Sequence, residues 1–192
     1  ESEASQIAAL ERQELASPPL DNQQAGRLLL LYLLSGDLCN ARLLWRRTPQ
    51  ALRSGASQPL ANIWRCGAAL FSRDYSTFYT AAADAAASTA APMPPDLADL
   101  LARLVTKTRR DRAAALAAAY SCIGRARLAK EVGVSPSGVA EALPDWRVGP
   151  DQGDSGFLAP PEPAATAADA PLMDTFEAIQ KLSATIGFVE NH

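Results

Sequence analysis

The sequence has very few residues of the kinds that enzymes and metal sites use. Its only histidine is His192, and no glycine-rich phosphate-binding loop occurs in the 192 residues. Nucleophilic triads and dyads rely on a histidine base, and most catalytic zinc sites rely on histidine ligands. We therefore expect a chain that is not an enzyme and needs no cofactor. No residue is assigned a catalytic, cofactor-binding or metal-ligating role.

Cysteine and net charge are also low. The three cysteines, Cys39, Cys66 and Cys122, are widely spaced, odd in number and without a Cys-x-x-Cys pair. Because each lies in an apolar, helix-like context, we expect buried, reduced thiols in a reducing compartment. The net charge of -3 and the pI of about 5.2 provide no general attraction to nucleic acid or to an anionic membrane.

What the sequence has instead is apolar helical periodicity. Residues 2–16 read as an amphipathic helix with Ile7, Leu10 and Leu15 inward. The seven apolar residues from 28 to 34 form a run too short to span a bilayer, so a helix buried by neighbouring helices is expected. Gly36 fits the end of this helix and Asp37 fits the N-cap of the next. The pattern predicts an antiparallel helical hairpin over 22–47.

A second hairpin resembles the first. The sequence "LLSGDL" at 33–38 matches "LFSRDY" at 70–75, with an offset of 37 residues. Helices are predicted over 60–72, from Tyr75 into the alanine-rich stretch 81–91, and over 96–123, the last with Leu97, Leu100, Leu101, Leu104, Leu116 and Tyr120 inward. The run "KTRRDR", Lys107 to Arg112, is either a solvated face or a polar contact with a neighbour. Residues 1–123 are therefore interpreted as a TPR-like helical-repeat segment.

Residues 124–159 change character. The stretch 127–143, "RLAKEVGVSPSGVAEAL", has the form of a helix-turn-helix in which Gly133 ends the first helix and Ser135 caps the second. Two short strands, 145–148 and 156–159, flank a turn-rich loop and complete a winged helix. The second helix, "SPSGVAEAL", has no Lys or Arg to contact DNA, so a protein contact is favoured. The predicted interface residues are Trp146, Arg147, Val148, Phe157 and Leu158.

A Pro/Ala linker over 160–171 leads to a last predicted helix, 172–192. Its apolar residues recur at steps of three or four, close to a heptad. The helix either folds back on the domain or joins helices of partner chains, and the second alternative is favoured. Its predicted interface residues are Leu172, Phe176, Ile179, Leu182, Ile186 and Val189.

Helical hairpins followed by a winged helix resemble PCI domains. The stretches "LLYLLSGDLCNARLLWRRTPQAL", "IWRCGAALFSRDYSTFYTA", "TRRDRAAALAAAYSCI" and "FVEN" resemble the subunit-eight family of the COP-nine signalosome. The resemblance covers most of 25–148 and the last helix, and the sequence departs from the family at 81–91 and in the linker. PCI subunits of the proteasome lid and of translation initiation factor three (subunit K) share the architecture and are the alternatives.

The resemblance implies a mostly α fold and a non-catalytic scaffold subunit of the signalosome, which deneddylates the cullins of cullin-RING ubiquitin ligases. It implies that the winged helix contacts the PCI subunit three and that the C-terminal helices of the subunits meet in a bundle. It implies no small-molecule substrate and no membrane, with the chain in the cytoplasm and nucleus.

Overall fold

A computed structural model describes residues 3–17, 20–53, 59–88, 93–148 and 156–161. The chain divides into two compact units, Glu1–Pro160 and Pro161–His192, and the elements below belong to the first. The fold is mostly helical, as predicted. In chain order the elements are α1 Glu3–Ala16, α2 Asn22–Ser35, α3 Leu38–Arg47, α4 Gln50–Arg53, α5 Pro59–Phe71, α6 Tyr75–Ala87, α7 Pro95–Ala119, β1 Ile123–Gly124, α8 Arg125–Val132, α9 Val139–Ala142, β2 Arg147–Val148 and β3 Phe157–Ala159.

The larger hydrophobic core surrounds α2. The whole apolar run from Leu28 to Leu34 is buried, because α1, α3, α5 and α7 all pack against this helix. The Asp21 side chain caps its first turn by accepting a hydrogen bond from the Gln24 N–H at 2.7 Å. Each buried leucine contributes about 1.5–3 kcal/mol relative to exposure, so α2 is the main apolar contributor to stability.

The two predicted hairpin turns have the same capping chemistry. Asp37 accepts a hydrogen bond from the Asn40 N–H at 3.0 Å, and Asp74 accepts one from the Thr77 N–H at 3.1 Å. The hydrogen bonds from Thr77 lower the pKa of Asp74. Both carboxylates therefore satisfy the free N–H groups that begin a helix.

The residues before these aspartates also correspond. Ser35 and Ser72 each donate a hydroxyl hydrogen bond to the carbonyl three residues back, both at 3.0 Å. Gly36 and Arg73 both lie in the left-handed region, at φ 82° and 58°. This conformation suits glycine but strains a residue with a Cβ. The sequence repeat is thus a structural repeat, with one unstrained and one strained copy.

A smaller core joins the end of α7 to the following elements. Its buried members are Leu116, Ile123, Leu128, Ala129, Val132, Val139, Trp146 and Leu158. The sheet in this part has the order β1-β3-β2 and is antiparallel throughout, with Ile123 opposite Leu158 and Arg147 opposite Ala159. The hairpin of β2 and β3 was predicted, whereas β1 was wrongly placed at the end of the long helix. Pairing with β3 outweighs the helical propensity of the alanine-rich sequence before it.

Several side-chain predictions were wrong. Leu15 is 84% exposed, because it lies about 140° around α1 from Leu10, which packs on the core. Tyr120 is also exposed, since α7 ends at Ala119 and the chain turns away there. Cys39 and Cys122 are exposed, and only Cys66 is buried. Desolvation raises the pKa of the Cys66 thiol to about 11.

Candidate interaction surfaces

The predicted sheet interface divides between the core and the surface. Trp146 and Leu158 are 8% and 6% exposed and belong to the smaller core, so they support the fold. Arg147 is exposed, and Phe157 is 43% exposed although it neighbours a buried residue in β3. Val148 pairs through its backbone with Leu158, and its side chain lies outside the described part of the structure. Arg147 and Phe157 are therefore the two predicted side chains available at the surface.

Strand β2 is an edge of the sheet. Within the described residues it pairs with β3 alone, and β3 is the central strand. An edge strand presents backbone N–H and C=O groups that another chain can pair with. The exposed Arg147 stands on this edge.

The helix-turn-helix has a weakly charged second helix. Helix α9 is only four residues long and carries Glu141, while Ser135 accepts a hydrogen bond from the Gly138 N–H at 3.1 Å in the preceding turn. The exposed cations lie on α8 instead, at Arg125, Arg127 and Lys130. Base recognition needs donors on the helix that enters the groove, and α9 has no basic side chain to supply them.

The basic run of α7 binds the ends of two other helices. Lys107 Nζ donates to the Leu34 carbonyl at 2.5 Å. Arg109 Nε donates to the Val132 carbonyl at 3.1 Å, and its Nη2 lies 3.4 Å from the Gly133 carbonyl. Carbonyls at helix C-termini lack helical partners and carry partial negative charge, so cations stabilise them.

Arg112 completes this arrangement. It donates to Glu131 Oε2 from Nη2 at 2.7 Å and from Nε at 3.0 Å, and its guanidinium lies 4.5 Å from the Tyr75 ring centre. We call Lys107, Arg109 and Arg112 the helix-end clasp. Of the two alternatives for "KTRRDR", a polar contact with neighbouring elements is observed for these three, whereas Arg110 is exposed.

Gly133, at the end of α8, lies against the aromatic ring of Tyr79. Its φ is +69°, and a Cβ at this position would lie 2.2 Å from Tyr79 Cγ. The buried Tyr79 hydroxyl has no hydrogen-bond partner among the described residues, and desolvation raises its pKa to about 12. The close approach fixes the end of α8 against α6, so a glycine is required here.

A third surface was missed in the sequence. Trp45 of α3 and Trp64 of α5 stack with ring centres 5.1 Å apart and planes within 10°. Arg53 lies 6.0 Å from the Trp45 ring, and Arg42 lies 4.9 Å from the ring of Phe71. With Arg46, one turn along α3 from Arg42, these residues define the arginine–aromatic face: Arg42, Trp45, Arg46, Arg53, Trp64 and Phe71. The available signal was that residues 38–73 hold six arginines and no Asp or Glu.

The described residues contain neither a membrane-spanning helix nor a cluster of metal ligands. None of the helices there has both the length and the apolar character needed to cross a membrane. No group of three or more His, Cys, Asp or Glu side chains in that part of the chain is placed to hold a metal ion. The predicted interface of the last helix lies outside the described residues, and so do its six apolar positions.

A family model matches residues 19–166, from just before α2 to beyond the sheet. The chain belongs to the CSN8/PSMD8/EIF3K family. The match spans both cores, the helix-end clasp and the arginine–aromatic face, and it leaves α1 outside.

Three relatives carry one name. The chain is 29% identical over 192 residues to the COP9 signalosome complex subunit 8 of Danio rerio, covering 96% of this chain and 93% of the relative. It is 47% identical over 66 residues to the protein of that name from Xenopus laevis, covering 34% of this chain and 31% of the relative. It is 44% identical over 72 residues to that from Xenopus tropicalis, covering 36% and 37%.

Proposed function

We propose that the chain is a non-catalytic scaffold subunit of the COP9 signalosome, the complex that deneddylates cullins of cullin-RING ubiquitin ligases. The observation that carries the proposal is the similarity along nearly the whole chain to a protein named as its subunit 8. The structure supports a binding role, because β2 pairs on one side only within the described residues and Arg147 is exposed on it.

The family description also names the lid and initiation-factor branches, so these are the alternatives. Affinity purification of the full chain from cells, followed by mass spectrometry, separates the three directly. We expect signalosome subunits in stoichiometric amounts. Recovery of the proteasome lid or of initiation factor three in their place would assign the chain to that branch.

The first proposed contact uses a winged helix made of β1, α8, α9 and the β2–β3 hairpin. We propose that the free edge of β2 aligns with the corresponding sheet of the PCI subunit three, with Arg147 and Phe157 at the junction. Main-chain pairing gives affinity in such contacts, and the flanking side chains give specificity. The lack of basic residues on α9 favours this protein contact over a DNA contact.

The charge-reversing double variant Arg147→Glu/Phe157→Asp tests this contact. Both side chains face solvent, so the melting temperature should stay unchanged while co-purification with subunit three falls at least about tenfold, equivalent to 1.4 kcal/mol. The matched control is Arg110→Glu/Leu15→Asp, which alters an exposed arginine and an exposed apolar residue away from the sheet. Equal losses in both variants would contradict the proposed interface.

The second proposed contact uses the segment 172–192, and its basis is the sequence. Its six large apolar side chains are each worth about 1.5–3 kcal/mol when buried, from which the cost of association is subtracted. We expect truncation after Pro171 to leave the melting temperature unchanged and to weaken assembly into the whole complex. Phe176→Asp/Ile186→Asp should reproduce the loss, with Glu177→Lys as the control. A lower melting temperature of the truncated chain would show that the segment belongs to its own domain's core.

Two further expectations follow from the scaffold role. The purified chain should show no isopeptidase activity on neddylated cullin, and activity that survives His192→Ala would overturn the non-catalytic assignment. The chain should distribute between cytoplasm and nucleus, which imaging of a fluorescent fusion at endogenous level tests.

A further inference from the structure

Two cations of the arginine–aromatic face lie over aromatic rings. Arg42 lies over Phe71, and Arg53 lies over Trp45, which stacks in turn on Trp64. A guanidinium over an aromatic ring is attracted by the ring's electron density and loses part of its rotational freedom. These side chains are therefore partly ordered before any ligand arrives, which lowers the entropic cost of binding.

The three arginines of this face form no ion pair with the described residues, whereas five other arginines do. Among the described residues, no carboxylate lies within salt-bridge distance of Arg42, Arg46 or Arg53. Elsewhere, Arg47 pairs with Glu14, and Arg112 pairs with Glu131. The chain as a whole carries a charge of -3, whereas residues 38–73, which contain the whole face, hold no Asp or Glu. The result is a local positive surface on an acidic protein.

We propose that the arginine–aromatic face docks an acidic segment of a partner protein that carries at least one aromatic or large apolar side chain. Arginine binds carboxylates through two parallel hydrogen bonds, which gives direction as well as charge complementarity. Phe71 is half-exposed beside Arg42 and offers an apolar contact for the anchor. Trp and Arg are also the residues that dominate binding energy at protein interfaces.

The face is poorly arranged for nucleic acid. Single-stranded nucleic acid binds aromatic side chains by stacking bases on a free ring face. Trp45 has Trp64 against one face of its ring and Arg53 over the ring, so stacking there would have to displace a neighbour. The observations therefore favour a peptide. None of the six residues belongs to the sheet elements, so this docking is separate from the contact proposed for β2.

The test measures binding of a fluorescein-labelled synthetic peptide, rich in Glu and Asp with one central Phe, to the full purified chain by anisotropy. An ionic strength of about 0.1 M limits long-range attraction between exposed charges to about 10 Å. We expect Arg42→Glu/Arg46→Glu to weaken binding at least about tenfold. The matched control Arg110→Glu/Arg125→Glu makes the same change of charge on α7 and α8 and should alter binding less than about twofold.

Tryptophan fluorescence provides a local readout. Two of the three tryptophans belong to the face, and the third, Trp146, is buried in the smaller core. The peptide should change the emission of the wild-type chain and of Trp146→Phe, and the change should be lost only when Trp45 and Trp64 are both replaced by Phe. If the charge-reversed variant unfolds, the neutral Arg42→Gln/Arg46→Gln replaces it, with a loss of at least about threefold expected.

Three outcomes would overturn the inference. The first is equal weakening in the matched control, which would show general charge attraction only. The second is tighter binding of a single-stranded oligonucleotide of the same charge, which would assign the face to nucleic acid. The third is unchanged affinity when Ser replaces the central Phe of the peptide. The experiment needs only the purified chain, so it is independent of signalosome membership.

Discussion

The two hydrophobic cores of the chain are built in different ways. In the larger core a single helix, α2, supplies an unbroken run of buried residues from Leu28 to Leu34, and short hairpins bring its neighbours against it. The smaller core gathers single residues from several short elements and depends on β1 meeting β3, with Ile123 opposite Leu158. Closing the long loop between β1 and β3 costs more entropy than forming a hairpin. The smaller core also buries less apolar surface than the larger one.

The difference shows where the smaller core obtains its stability. Leu116 belongs to α7, a helix whose first half packs in the larger core. The helix-end clasp, also on α7, binds the C-terminal carbonyls and Glu131 of α8. The smaller core is therefore supported by α7, and its local stability should be the lower of the two.

The largest expected effects come from truncating one large buried side chain in each core. Leu30→Ala and Trp146→Ala should each cost about 3–5 kcal/mol, because they remove fully or nearly fully buried side chains. Leu30→Ala should raise amide hydrogen exchange throughout the chain. Trp146→Ala should raise exchange in β1, α8 and β3 while the amides of α2 stay protected. If both variants raised exchange equally in both regions, the two cores would be a single cooperative unit.

The next effect concerns the close approach of α8 to α6. Gly133→Ala places a methyl group against Tyr79 at a positive φ, so we expect a loss of about 3 kcal/mol from backbone strain and overlap together. In a Tyr79→Ala background the overlap disappears and only the strain of about 1–2 kcal/mol should remain. Urea denaturation measures both. Equal costs in the two backgrounds would show that the ring moves aside freely.

The ion pair of the clasp should contribute less. Arg112 and Glu131 have side chains about a quarter exposed, 26% and 25%, so solvent screens them in part. A double-mutant cycle with Arg112→Met and Glu131→Gln should give a coupling energy of about 1–2 kcal/mol. The control cycle uses Arg65→Met and Asp84→Asn, an exposed pair at 3.8 Å, which should couple by less than about 0.5 kcal/mol. Similar coupling in both cycles would contradict a structural role for the clasp.

The sequence predicted features that depend on local chemistry. Capping residues predicted three features that the structure contains: the turn at Gly36–Asp37, its repeat at Arg73–Asp74 and the end of α8 at Gly133. Features that depend on distant partners were not predicted. Ile123 follows an alanine-rich helix and becomes a strand only because β3 lies beside it. Lys107 and Arg109 of the clasp bind main-chain carbonyls, which every residue carries and which a sequence cannot distinguish.

The candidate surfaces show the same limit. Strands of two or three residues are too short for alternation to decide which side chains face the core, so Trp146 and Leu158 could not be separated from Arg147 and Phe157. The arginine–aromatic face depends on rings from α3 and α5 meeting across a hairpin. The sequence itself showed only that residues 38–73 lack Asp and Glu.

The smallest expected effect tests the repeated turn of the two helical hairpins that surround the larger core. Gly36 and Arg73 occupy equivalent left-handed positions, at φ 82° and 58°. A Cβ at Gly36 would meet no atom of the described residues within 4 Å, so the cost of Gly36→Ala comes from the backbone alone, about 1 kcal/mol. Arg73→Gly removes the same strain but makes the unfolded chain more flexible, which offsets about 0.4–1 kcal/mol of the gain. We therefore expect urea midpoints to fall for Gly36→Ala and to stay level or rise slightly for Arg73→Gly. A clear fall for Arg73→Gly would show that the Arg73 side chain makes a stabilising contact that the turn geometry alone does not require.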